Sequence, residues 1–172
     1  LLTLFFLPGC FGMSASAGYT PSLIVEGPNA VRVEANVDWV MGPTENKKLP
    51  GGGKIRIVGA STCYYGLRLG VRGAFFRDLA MFGIAGDAMG HCMMAPGVAF
   101  TGKIGLKPIE IGTQEGFALG LGSPYLDLGI RVTLRQGMFL EGFGLIGYDI
   151  RLGRVSYPYA GGGLRLVVGL MP

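Results

Sequence analysis

Leu126, Leu128, Ile130, Val132 and Leu134 share one face of an extended chain, and Asp127, Gly129, Arg131, Thr133 and Arg135 share the other. This period of two predicts a strand with one apolar and one polar face. Four further segments repeat it. Val31 to Met41 sets Val31, Val33, Ala35, Val37, Trp39 and Met41 against Arg32, Glu34, Asn36 and Asp38, and Val98 to Lys107 sets Val98, Phe100, Ile104 and Leu106 against Thr101, Lys103 and Lys107. Leu164 to Leu170 alternates around Arg165, and Leu140 to Gly153 does so around Asp149 and Arg151, with Phe143 and Leu145 breaking the rule. Less regular strands are predicted over Lys54 to Arg72, over Phe117 to Leu121, and over Phe75 to Asp87. The last also fits a helical stripe through Phe76, Leu79, Ala80 and Gly83, but the Gly73-Ala74 turn that feeds it favours a strand.

Composition turns this strand pattern into a statement about environment. Hydrophobic residues make up 49% of the chain and charged residues 15%, against about 25% charged in an ordinary soluble domain. No run of about 20 apolar residues follows residue 18, so the hydrophobicity is not that of a membrane helix. Spread through alternating segments, it predicts an all-β fold, an antiparallel up-and-down β-barrel of about eight strands that is transmembrane. A lipid-facing Arg near the midplane costs about 2 to 4 kcal/mol, so Arg131 and Arg135 are expected to point inward. Over residues 30 to 171 the pattern resembles the eight-stranded bacterial outer-membrane barrels. The resemblance implies a place in the outer membrane, lipid contacts around the wall, and outer loops free to meet an envelope partner.

Connection lengths predict long loops at one end of the barrel and tight turns at the other. Gly42 to Gly53 and Ala88 to Gly97 are long, Gly73-Ala74 and Gly137-Met138 are tight, and Lys107 to Gln114 and Gly122 to Pro124 are further links. Lys54 to Arg72 exceeds the 9 to 11 or so residues that cross a bilayer, so its part up to Thr62 is expected to project beyond the wall. That places Cys63 at the rim beside Cys92, where a disulfide can form. Trp39, Phe75, Phe76, Tyr125, Phe139, Tyr157 and Tyr159, near strand ends, suit interfacial girdles.

The first residues read differently. Leu1 to Leu7 followed by Pro8, Gly9 and Cys10 resembles the end of a bacterial lipoprotein signal peptide. It implies an export segment over 1–18, a tether over 19–29, and a barrel over 30–172, with Cys10 as the lipidated residue. The alternative is an ordinary signal peptide cleaved between Ala15 and Gly18.

The polar faces collect Arg32, Arg56, Arg68, Arg72, Lys103, Lys107, Arg131, Arg135, Arg151 and Arg165 against Glu34, Asp38, Asp127, Glu141 and Asp149. An eight-stranded barrel is just wide enough for side chains to fill, so the first expectation is a plugged interior of paired charges with a structural or partner-binding role. A surplus of bases supports a second, a site or narrow conduit for a small anion. A third is a soluble periplasmic barrel whose apolar lumen binds lipid. A net charge of +4 on scattered Lys and Arg does not form the basic stripe that nucleic acid requires. One His with no nearby Ser does not make a hydrolase or acyltransferase. Gly51-Gly52-Gly53-Lys54 lacks the spacing of a phosphate loop. His91, Cys92 and the neighbouring Met89, Met93 and Met94 are soft donors suited to Cu(I), but the reading commits to no metal, no cofactor and no enzyme. The sequence leaves the oligomeric state open.

Overall fold

The computed structural model describes residues 10–24, 28–41, 44–48, 54–58, 63–77, 79–113, 117–152 and 156–169. Its elements are strands: β1 (Cys10–Thr20), β2 (Ala30–Met41), β3 (Thr44–Lys48), β4 (Lys54–Val58), β5 (Cys63–Phe75), β6 (Ala80–Ala95), β7 (Val98–Thr113), β8 (Phe117–Arg135), β9 (Met138–Asp149), β10 (Arg151–Leu152) and β11 (Tyr157–Gly169). The main sheet runs β10-β8-β7-β6-β5-β2-β1-β11-β9, and the additional β8–β9 pairing closes it. Because β10 continues β9 past Ile150 along the same partner, the wall has eight staves. The result is a closed, eight-stranded, antiparallel, all-β barrel. No helix among the described residues is long and apolar enough to cross a membrane, which says nothing about strands.

The eight staves are not the eight read from the sequence. Cys10–Thr20 is a full wall strand, hydrogen-bonded to β2 on one side and β11 on the other from Gly12↔Gly169 to Tyr19↔Gly162. The wall therefore includes Cys10–Thr20 and does not start at residue 30: residues 11–20 are strand where the sequence predicts the end of an export segment and the start of a tether. Residues 1–9 lie outside the described set, and nothing in the fold bears on a lipid at Cys10.

The wall still has eight strands, because two of the predicted segments form a single one. Phe117 to Leu121 and Leu126 to Gln136 belong to one strand, β8, and Lys107 to Gln114 is not a turn but the continuation of β7. Pro108 and Gly122 look like loop punctuation because each marks a bulge. In β7 the inward series Lys103, Gly105 and Lys107 passes to Glu110, and Pro108 and Ile109 both face out; in β8 Leu121 and Gly122 both face out. Gly122 takes a left-handed φ of 65°, and Pro108, with no N–H to offer the ladder, is confined to such positions. The paired bulges switch face parity in both strands at once, which keeps Ile109 and Ile111 outside and Glu110 inside.

The predicted separation of long loops from tight turns also fails. The long 42–62 connection, with its β3–β4 hairpin, lies at the same end as the tight turns at Pro96-Gly97 and Gln136-Gly137. Lys54–Val58, including Arg56, belongs to that hairpin and not to the wall. Val98 begins β7 directly after the Pro96-Gly97 turn, so Ala88 to Ala95 is strand rather than loop. Among the described residues of Phe75 to Asp87 there is no helix, and β6 starts at Ala80.

The expected disulfide is present. Cys63 and Cys92 are direct cross-strand partners on β5 and β6, with Cα atoms 4.0 Å apart. It pins the rim where the 42–62 connection rejoins the wall.

Three predicted girdle aromatics instead fill the interior. Tyr125, Tyr157 and Tyr159 are buried and pack with Leu145, which explains why Leu145 broke the alternation. Across four neighbouring strands the ladder pairs Gly105 with Tyr125, Tyr125 with Gly147, and Gly147 with Tyr159. Each ring lies over a glycine of the adjacent strand, and a Cβ at Gly105 or Gly147 would collide with a tyrosine hydroxyl. Gly142 differs, with nothing within 4 Å of its would-be Cβ. Gly147→Ala is therefore expected to lower the unfolding free energy by about 1 to 3 kcal/mol and Gly142→Ala by less than about 0.5. Urea unfolding of the refolded protein in detergent, followed by the fluorescence of the single Trp39, compares the two. Reduction of Cys63–Cys92, 29 residues apart, is expected to cost about 3 kcal/mol in the same assay.

Candidate functional site

Alternation around a closed wall sends every second side chain inward, and here the inward set is ionic. Arg32, Arg68, Arg72, Lys103, Lys107, Arg131, Arg151 and Arg165 are buried, as are Glu34, Asp38, Asp87, Glu110, Asp127, Glu141 and Asp149. Outward positions are apolar: Leu69 is 70% exposed and Ile104 65%, whereas Arg165 and Glu141 are both at 0%.

Arg131 lies inside as expected, but Arg135 does not. It is exposed, because β8 slips register against β9 between Thr133 and Arg135 just before the Gln136-Gly137 turn. Arg56 sits in the β3–β4 hairpin. Two acids were missed. Asp87 lies within β6, where the pattern is ambiguous, and Glu110 lies in β7, where the sequence predicts a turn. Among the described residues the balance becomes eight bases to seven acids, replacing the expected ten to five.

Strand register makes the pairs. Glu34 faces Arg72, Asp38 faces Arg68, Arg68 faces Asp87, Lys103 faces Asp127, and Glu141 stands between Arg131 and Arg165. Opposite charges directly across a ladder attract, and here each such contact is also shielded from water. Arg68 clasps Asp38 with Nε and Nη2 at 2.6 and 2.8 Å. Glu141 receives Arg131 Nε and Nη2 on Oε2 at 3.0 and 2.8 Å, and both Lys103 and Arg165 on Oε1. Arg165 continues to Asp127 at 2.5 Å and Glu34 at 3.5 Å. A second group gathers on Asp149, which accepts from Arg32 at 2.8 Å and from Lys107, with Arg151 at 3.8 Å; Lys107 also meets Glu110 at 2.9 Å.

Space for these long side chains comes from β1. Its inward residues Gly12, Ser14, Ser16, Gly18 and Thr20 are small, and Arg165 reaches Glu34 past Ser16, which lies between them in the register. Tyrosine and phenylalanine faces cover the remaining guanidinium surface: Arg32 lies 4.0 Å over Tyr159, Arg72 3.9 Å over Tyr125, and Arg165 4.3 Å over Phe143. A cavity within this packing, lined in part by Arg32, Glu34, Lys107 and Glu110, has a volume of about 10 Å³, room for no more than a water molecule. Among the described residues the interior at that level is filled by ionic and aromatic side chains.

No family model matches this sequence, and a search of the curated proteins finds no match. Among solved structures, the chain is similar to one described as "De novo design of transmembrane beta-barrels", with 14% identity over 94% of this chain and 97% of that one and a TM-score of 0.43. The barrel assignment here rests on the closed strand pairing itself.

Other sequence candidates separate. Cys92 is oxidised with Cys63 and is not available as a thiolate ligand. Among the described residues no group of three or more His, Cys, Asp or Glu is placed to hold a metal. His91 is buried with its ring stacked on Tyr64 at 4.9 Å.

Removing one member of a buried ionic group strands the others, at about 3 to 5 kcal/mol. Glu141→Gln, which leaves Lys103, Arg131 and Arg165 short of an acid, is expected to lose that much stability in detergent-based urea titrations. Arg135→Gln, at an exposed turn, is expected to change it by less than about 0.5 kcal/mol.

Proposed function

We propose that this chain is a membrane-inserted β-barrel of the bacterial outer membrane, plugged rather than conducting, whose role is structural or partner-binding and not catalytic. One observation carries the reading: the wall is apolar outside and ionic inside, with Leu69, Ile104 and Leu164 each more than 60% exposed while all eight interior bases sit in ion pairs. In water, such an outer surface far exceeds the apolar patches that monomeric proteins tolerate. In a bilayer it is the matched surface, and the polar backbone is satisfied because a closed sheet has no edge.

The interior supports the plugged state. Acid–base side chains that a catalyst would need are tied to one another, and the near balance of charge removes the surplus of bases that favoured a conduit. The β3–β4 hairpin lies outside the wall sheet, between β2 and β5, and is the contact we assign to an envelope partner.

The protein refolded in detergent or vesicles is expected to migrate on gels faster unheated than boiled, and to give no discrete conductance steps in planar bilayers. Full solubility of the folded chain without detergent overturns the membrane reading. Discrete channel currents overturn the plug and leave the membrane reading standing.

A further inference from the structure

Strand register sorts the charges of the β3–β4 hairpin. Lys48 stands opposite Lys54 and Asn46 opposite Arg56, so Lys48, Lys54 and Arg56 belong to one face of the hairpin. Glu45, the one acid in these two strands, belongs to the other face, opposite Ile57. Like charges directly across a ladder repel, and this face offers no acid to relieve them. The imbalance extends to the whole end of the barrel. In sequence, the segments joining strands here, with Arg135 beside its turn, hold five bases and one acid; those at the opposite end hold Arg77 and Arg154 against Glu26, Asp78 and Glu115.

Where the hairpin leaves the wall, the outer surface of the wall is hollowed. Two residues separate Met41 of β2 from Thr44 of β3, which holds the start of the hairpin within about 11 Å of the wall. Trp39, two residues before Met41, lines a groove of about 510 Å³ with Phe11, Leu67, Leu69, Gly86 and Ala88. The hollow exists because Gly86 and Ala88 are small residues in the outward row of β6. Their ladder partners Leu69, Leu106, Leu67 and Ile104 all stand exposed around them. Phe11 and Trp39 stack at 6.2 Å at the rim end of the groove, and aromatic side chains so placed mark the headgroup level of a bilayer. The groove falls within the range of about 300 to 1,000 Å³ that small-ligand sites occupy.

We propose that the basic face of the hairpin and this groove form one binding site for a phosphate-bearing membrane lipid, with an acyl chain seated in the groove and the anionic headgroup neutralising the face above it. The inference rests on the membrane reading and makes the hairpin's envelope partner a lipid. Each base near a membrane surface favours anionic lipid about fivefold. Charge alone would gather such lipid anywhere around the rim, and the groove supplies the position. It opens on the apolar outer wall, which an acyl chain reaches from within the bilayer and a soluble anion or an acidic protein does not.

Trp39 lines the groove and is the one tryptophan of the chain, so its fluorescence reports the occupant. The full chain is refolded into phosphatidylcholine vesicles that contain, at equal mole fraction, either phosphatidylglycerol or phosphatidylcholine with brominated acyl chains, which quench an indole on contact. Quenching is expected to show at least about fivefold preferred occupancy by phosphatidylglycerol. The triple variant Lys48→Gln, Lys54→Gln, Arg56→Gln, altered only outside the wall, is expected to lose that preference and keep the phosphatidylcholine level. Ala88→Phe, an apolar change on the outer face, is expected to fill the groove and lower the preference as well. Equal quenching by the two lipids in the wild-type protein overturns the site and leaves the membrane reading standing. A preference that survives either variant also overturns it, since the lipid is then held by something other than hairpin and groove together. Quenching by neither lipid overturns the membrane reading and the site with it.

Discussion

Fifteen charged side chains inside a sheet closed on eight strands set the terms for everything else in this molecule. An isolated charge in such a place costs several kcal/mol even after relaxation, so none can stand without a partner, and the partners must be delivered by the strand ladder. The Glu141 carboxylate shows how tightly this binds the fold. Its three cations come from β7, β8 and β11, and a one-residue slip of any of these strands would turn an Arg or Lys to the outside wall. Register, which a sheet of apolar alternation alone specifies loosely along its length, is here specified by charge.

The same requirement explains features that look like irregularities. The paired bulges at Pro108 and Gly122 change which residues face inward, and what they deliver is Glu110 beside Lys107. The small inward residues of β1 and the glycines beneath Tyr125 and Tyr159 make volume for arginine and tyrosine side chains that could not otherwise share one lumen. Glycines such as Gly105 and Gly147 thus follow from crowding inside the barrel.

Most of the wall was legible in the sequence because alternation is a local property. Where an apolar outer face backs a charged inner face, as in Leu126 to Leu134, a single segment suffices to assign both. Reading failed where local chemistry resembled something else. Cys10 to Thr20 carries a clean period of two, with Phe11, Met13 and Tyr19 on one face, but its Ser, Ala and Gly content next to a hydrophobic start looked like a processed leader. Pro108 and Gly122 carried turn chemistry for a bulge. Asp87 and Glu110 were lost with the segments that held them, and with them the correct charge balance. The ion pairs themselves, and the Tyr-over-Gly packing, depend on which strands neighbour one another. That is fixed by closure and cannot be read from any single segment.

Closure also bears on how the barrel is made. The seam joins β1 to β11, the pairing of Gly12 with Gly169 bringing together strands from opposite ends of the chain. Every other stave-to-stave contact links consecutive strands of the wall and can form as soon as both exist. The seam is the contact of longest range, and its loop-closure entropy must be met before it returns anything. Until β11 arrives, β1 is an open edge whose unpaired backbone groups invite pairing with another chain. A half-made barrel of this kind is thus an aggregation hazard, and β1, which carries no charged residue, is the slot held open for β11.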